Sequence, residues 1–348
     1  MPETQPVLRV ENLVTRFKSV ERGKWISAVD DVSITLAPGE MVGLVGESGC
    51  GKSTLGRTIV GLERPQSGRI LLDGIDLSTL RGAELRKRRR AIQYVFQDPY
   101  ASLNDRQTIG EAIVEALIIM GIPDPGEQRR RIRKLLDQVG LPDALAERYP
   151  RELSGGQRQR VAIARSLAVE PRVLICDEPV SALDLSIRAQ VMNLFLRLHK
   201  DLGVACLFIA HDLALVRQAT SRTYVMYLGK IIEEATSAEL YARPSHPYSK
   251  ALLGSIPSAN PRIEATRKPP EIFGDIPSPT NPPSGCRFRT RCPHAAEVCA
   301  SAVPPRFALT SSHHASCVLA ADFYAERAAH PLSNSAPAQR GTQPMHAR

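Results

Sequence analysis

The octapeptide Gly46-Glu47-Ser48-Gly49-Cys50-Gly51-Lys52-Ser53 follows the short apolar run Met41–Val45 and precedes Thr54–Val60, whose apolar spacing is helical. A glycine loop between a strand and a helix turns successive backbone N–H groups toward one point, at the positive end of the helix. That arrangement needs a sheet with helices packed on it, so it restricts the chain to a layered α/β core. Gly46, Ser48, Gly49, Cys50, Gly51 and Thr54 are expected to line the cradle of a nucleoside triphosphate. Lys52 supplies a point charge on the β- and γ-phosphates, and Ser53 a hydroxyl for Mg²⁺.

A second segment completes such a site. Val173-Leu174-Ile175-Cys176 reads as an apolar strand that delivers Asp177 and Glu178 at its end. Asp177 is placed to bind Mg²⁺ through water, and Glu178 to take a proton from an attacking water as general base. His211 ends the strand Ala205–Ala210, at the edge where ligand-facing groups collect in an open α/β sheet. It can bond the γ-phosphate and hold the water. Gln97 ends the strand Ile92–Phe96, and its amide can reach Mg²⁺ or the same water. Ser154-Gly155-Gly156-Gln157 opens another helix; Ser154 caps it, and the free N–H groups form a second anion site. The two glycines are read as allowing close backbone approach to a ligand.

Between about 100 and 168 the pattern turns helical (Ile109–Met120 and Gln128–Val139), which predicts a helical insert before the α/β alternation resumes. Prolines punctuate the chain from 241, predicting a linker and a small loop-rich module to 324, followed by a disordered tail over 325–348. The formal charge of +9 would suit nucleic acid or an anionic surface, but the basic residues are dispersed. The one tight run, Arg86–Arg90, reads as a solvated lead-in to a strand, so no nucleic-acid partner is expected. No stretch approaches the ~20 apolar residues of a spanning helix, and the N-terminus carries no secretory pattern. Any work at a membrane is therefore expected to go through partners. Cys50, Cys176 and Cys206 read as small buried side chains.

In this order the motifs resemble the ATP-binding-cassette family from Val7 to about Ala235. The resemblance implies a P-loop cassette core over 1–240 with a mixed sheet and helical subdomain, plus the small C-terminal Cys-rich loop module. It implies a composite site, with Ser154, Gly155, Gly156 and Gln157 acting on nucleotide held by a second ATPase subunit. Asp184 would bridge that seam. Phe17, or Trp25 given the uncertain register between them, would stack on adenine.

Gln97–Asn104, Cys176–Asp184, His246–Leu253 and Asn281–Cys286 resemble more closely the oligopeptide/dipeptide importer ATPases, and specifically the second (F-type) subunit. One departure is Asp105, where that group usually has Pro; only a local loop difference is expected. The resemblance implies an ATPase that powers peptide import. It would work as a heterodimer with a second cassette subunit, with two permease subunits and an extracytoplasmic binding protein, at the cytoplasmic face of the membrane. Permease helices would dock near Gln97 and Pro99–Leu103. The same engine could serve nickel, glutathione or oligosaccharide, and a soluble non-transport cassette ATPase is the rival class.

Cys286, Cys292, Cys299 and Cys317 lie in a segment too poor in apolar residues for its own core. Four thiolates could take Zn²⁺ or an iron–sulfur cluster, and His294, His313 or His314 could substitute at zinc. The importer resemblance implies a [4Fe–4S] cluster at the four cysteines.

Overall fold

In the computed structural model the described residues are 5–98, 102–257, 264 and 272–329. Strands β3 (Met41–Val45), β6 (Ile92–Val95), β7 (Val173–Asp177) and β8 (Ala205–Ile209) are short and apolar. They pair in parallel in the order β3-β8-β7-β6. Runs of this kind are the signature of strands covered on both faces. The period of two divides them cleanly. Val42, Leu44, Val173, Ile175, Ala205, Leu207 and Ile209 face one core, and Met41, Val45, Leu174, Cys176, Cys206 and Phe208 face the other.

The first core is closed by helix Lys52–Val60 and by a four-stranded antiparallel sheet. That sheet holds β1 (Leu8–Lys18), β2 (Trp25–Leu36), β4 (Ser67–Leu72) and β5 (Ile75–Asp76) in the order β2-β1-β4-β5. The second core is covered by helices Gly155–Leu167, Leu185–Leu202 and Leu213–Ala219. Onto it pack the insert helices Ile109–Ile119 and Pro125–Gln138, each started by a side-chain cap from Thr108 and Asp124. The α/β core, mixed sheet and helical insert thus match the expectation. The basic run lies on helix Gly82–Arg89, which has no buried residue.

The C-terminal part differs from the expectation. The sheet continues beyond β3 through β9 (Arg222–Tyr227) and β10 (Lys230–Thr236) to β12 (His314–Ala315) and β11 (Phe307–Ala308), these four strands each antiparallel to the next. The Cys-rich segment is therefore an extension of the cassette's own sheet. Where a linker was expected, His246 caps a largely buried helix, Pro247–Gly254, with Pro247 in the first turn, where an N–H would have no intrahelical partner. Phe288 is buried and packs on Tyr227, Tyr248 and His246, so the segment borrows the cassette's core. Helix Ala320–Ala329 crosses the start of the expected disordered tail; Phe323 is buried and the Tyr324 hydroxyl donates to Glu239. Residues 330–348 lie outside the described residues.

The buried Glu233 of β10 holds this region. Its carboxylate accepts from the backbone N–H of Ser245 (2.7 Å) and His246 (2.9 Å) and lies 2.7 Å from His313 Nε2. His246 is itself buried, and its Nδ1 accepts from the Tyr248 N–H. Burial pushes its pKa down from 6.5 to about 4. An unfolded chain takes up this proton first as pH falls, so the stability tied to neutral His246 is complete above its unfolded pKa. It is lost as pH falls through the window down to about 4, by about 3 kcal/mol at the acid end. Denaturant midpoints measured at about pH 7 and about pH 4.5 should converge more in His246→Asn than in the parent; an unchanged pH dependence would contradict this assignment.

Candidate functional site

The C-terminal ends of the parallel strands bring the separated motifs together. β3 runs into the glycine loop, β7 ends at Asp177, and the strand pairs Val95↔Cys176 and Asp177↔Ile209 set Gln97, Glu178 and His211 in one row beyond the sheet. Asp177 is buried; one carboxylate oxygen accepts from Ser53 Oγ (2.9 Å) and the other from the Tyr94 hydroxyl (2.6 Å). The Ser53 hydroxyl and the Asp177 carboxylate thus converge on one point, as a hydrated Mg²⁺ requires. Burial, and then the Asp177 charge, raise the Tyr94 phenol well above its ordinary pKa, so it remains a donor.

Glu178 adopts a left-handed backbone (φ 46°), held by its own N–H to Ile209 and by Ser181, which donates to its carbonyl. A non-glycine residue there is strained and persists only where its surroundings fix it. One oxygen, Oε2, meets both Gln97 Nε2 (3.1 Å) and His211 Nδ1 (3.0 Å). The expected group of Gln97, Glu178 and His211 is therefore assembled around a single carboxylate oxygen.

In the phosphate loop, Lys52 is buried and its ammonium donates to the carbonyls of Gly46 (2.8 Å) and Glu47 (2.9 Å). Gly51, at φ 109°, lies so close to β2 that a Cβ would sit 1.9 Å from the Ala28 carbonyl oxygen. The same hairpin pairs Phe17 with Ile26 and Lys18 with Trp25, which brings both aromatic candidates for adenine to one end. Cys50, Cys176 and Cys206 are buried, as expected.

Ser154 caps its helix, accepting from Gln157 N–H (3.3 Å), while Gln157 Oε1 accepts from the Ser154 N–H (2.9 Å). The glycine at 156 has a packing reason: a Cβ would lie 2.5 Å from Ile187 Cγ2. Close approach to a ligand, the reason given from sequence, is thus not needed to explain it. Among the described residues, no hydrogen bond joins residues 154–157 to the phosphate loop. Asp184 begins helix Leu185–Leu202 at an exposed corner, with Leu185 80% exposed. Pro99, Tyr100 and Ala101 lie outside the described residues.

Cys286, Cys292, Cys299 and Cys317 line one small cavity with His246, His294 and Phe288. Burial first, then the nearness of the other three thiols, push Cys317 up to about 12. Yet among the described residues no three His, Cys, Asp or Glu side chains stand close enough to hold a metal ion. The donor chemistry suits a metal, but the structure does not supply the ligand set that a [4Fe–4S] cluster or zinc would need, and that expectation is not supported.

Three partners were not read from sequence: Tyr94 on Asp177, Tyr248 on the Glu47 N–H (2.8 Å), and Arg291 on the Glu47 carboxylate (2.8 and 3.2 Å). Only Tyr94 left a local signal, as the sole hydroxyl in a short buried strand next to the acidic one.

Fold and site together define an ATP-binding cassette. A family model described as ABC transporter matches residues 29–181, and one described as Oligopeptide/dipeptide transporter, C-terminal region, matches 232–299. A Brucella ovis protein assigned by name to peptide import is 50% identical over 318 residues, spanning 91% of this chain and 99% of its own. The oligopeptide transport ATP-binding protein OppF of Salmonella typhimurium is 47% identical, over 86% of this chain and 92% of its own. Among solved structures, the cassette MJ0796, a dimer bound to ADP and Pi, superposes with a TM-score of 0.58 at 30% identity, covering 66% of this chain and 98% of that one. The chain belongs to the ABC transporter family, among the ATPases that carry the oligopeptide/dipeptide transporter C-terminal region.

Gly51→Ala should place a methyl group against the Ala28 carbonyl at a backbone angle that disfavours it. The loop would shift away from β2 to relieve the clash, and regaining the phosphate-facing shape at a cost of about 1–3 kcal/mol would weaken ATP binding by roughly tenfold to a hundredfold. Titration with a fluorescent ATP analogue checks this, and wild-type affinity would contradict the close approach.

Proposed function

We propose that this chain is the ATP-hydrolysing subunit that powers import of oligopeptides or dipeptides through membrane permease subunits. The observation that carries the peptide assignment is the match of residues 232–299 to the oligopeptide/dipeptide transporter C-terminal region, in relatives similar over nearly the whole chain. No helix among the described residues is long and apolar enough to cross a membrane, which supports peripheral attachment through permease partners. The relatives reported above are named for peptide or oligopeptide transport, which favours that cargo over nickel, glutathione or oligosaccharide.

The geometry supports a division of labour. Amides of Gly49, Cys50, Gly51, Lys52, Ser53 and Thr54, with the Lys52 ammonium, take the phosphates once Lys52 exchanges the Gly46 and Glu47 carbonyls for them. Ser53, Asp177 and Gln97 would hold Mg²⁺, which when bound would supply positive charge against the phosphate oxygens. Glu178 removes a proton from the water that attacks the γ-phosphorus. Gln97 and His211, both on Glu178 Oε2, orient that carboxylate and the water. Phe17 or Trp25 stacks on adenine.

Ser154, Gly155, Gly156 and Gln157 complete the site of a second cassette, with Asp184 at the seam. Support comes from the dimeric form of the solved relative. The second cassette is proposed to be an unlike subunit, joined by two permeases and an extracytoplasmic binding protein. For the four C-terminal cysteines, the cluster implied by the importer resemblance would require the thiols that line the shared cavity to draw together around it. Four iron and four sulfide per anaerobically purified chain would identify the cluster; a metal-free chain would remove it.

Glu178→Gln should lower ATP turnover by about 10²–10⁴-fold with ATP affinity retained, because only the proton acceptor is lost. In proteoliposomes holding the permeases, labelled peptide uptake should fall with it. Uptake that persists without turnover, or turnover near wild type, would refute the assignment.

A further inference from the structure

We infer that Arg291, in the C-terminal segment, is a positioning residue for the phosphate loop and that this segment tunes ATP affinity by clamping Glu47. This rests on the ATP-binding reading of Gly46–Ser53. Arg291 is 7% exposed, and its guanidinium reaches both oxygens of the Glu47 carboxylate from 244 positions along the chain. It lies 5.9 Å from the centroids of both the Tyr227 and the Phe288 rings. A planar, two-pronged ion pair of this kind fixes direction as well as distance.

Glu47 is gripped from three sides. Its side chain is held by Arg291, its N–H donates to the Tyr248 hydroxyl (2.8 Å), and its carbonyl accepts from Lys52 (2.9 Å). Tyr248 is in turn packed on Phe288, three residues before Arg291. A neighbouring clamp works the same way: Arg287 bonds Asp30 and the Leu228 carbonyl, beside the turn whose Gly229 donates to the Cys50 carbonyl (2.8 Å). The segment 287–291 therefore touches the loop directly at Glu47 and through one intermediary at Cys50.

The Glu47 side chain is engaged by protein, so its role is to hold the loop. Taking the Glu47 N–H out of play and anchoring the loop's first turn leaves the later amides to face one point. A loop already held in that shape loses less conformational freedom when phosphate binds, so the clamp should tighten binding without touching the chemical step. The C-terminal segment, which sequence alone presents as an appendage, becomes a structural input to the nucleotide site.

The test uses the full-length chain and titration with a fluorescent ATP analogue, for Arg291→Ala, Glu47→Ala and the double variant. Each single change should raise Kd about tenfold, and the double should be no worse than the weaker-binding single, because both remove one contact. Arg291→Lys, which keeps the charge but loses the second prong, should fall between. In the assembled transporter, KM for ATP should rise with kcat unchanged. Should Arg291→Ala fail to fold, Arg291→Lys and Glu47→Gln carry the comparison, and both should still weaken binding. Wild-type affinity in these variants, penalties that multiply in the double, or a loss confined to kcat would overturn the proposal. Loss of ATP binding by the parent chain would instead refute the underlying ATP-binding reading.

Discussion

The parallel pairing of β3, β8, β7 and β6 is the constraint from which the rest follows. Parallel strands must return by crossovers, so helices cover both faces and all four C-terminal ends point the same way. The loop at Gly46, the carboxylates at 177 and 178, His211 and Gln97 are hundreds of atoms apart along the chain, yet the register Val95↔Cys176 and Asp177↔Ile209 aligns them. A one-residue slip of β7 would turn Asp177 to the other face and bury Leu174 where Ile175 packs. Catalytic geometry here is a property of strand register before it is one of individual side chains.

Upon that frame the buried charges act as fasteners. Glu233 gathers two backbone N–H groups and His313, and Arg222 joins Glu40, Glu234 and the Thr35 carbonyl, so that β10, β9 and the antiparallel sheet are pinned together. Groups of this kind are costly to break singly, since the remaining charge is left without water. Their placement explains why a Cys- and Pro-rich segment without a core of its own is ordered: its Phe288, His313 and Arg291 are inserted into an existing core.

What could be read in sequence was what is local. The phosphate loop, the Asp177–Glu178 strand exit and the Ser154 cap each carry their chemistry within a few residues, and the structure places them as their spacing suggests. β9 and β10 are not legible in the sequence because buried polar groups such as Thr223, Glu233 and Glu234 break their apolar pattern. Prolines suggested a linker where Pro247 instead starts a helix. The two-residue β12, the Arg291–Glu47 pair and the packing of Gly156 on Ile187 depend on segments distant in sequence, and no window of a few residues contains them.

The account stands or falls on the division of the nucleotide site between two chains. The most direct measurement places a photo-cross-linking residue at position 154 in the assembled transporter and maps its adduct with and without MgATP, in the Glu178→Gln background that retains nucleotide. The account predicts an adduct on the phosphate loop of the second ATPase subunit that forms only with ATP present. An adduct within the same chain, or one indifferent to nucleotide, would contradict it.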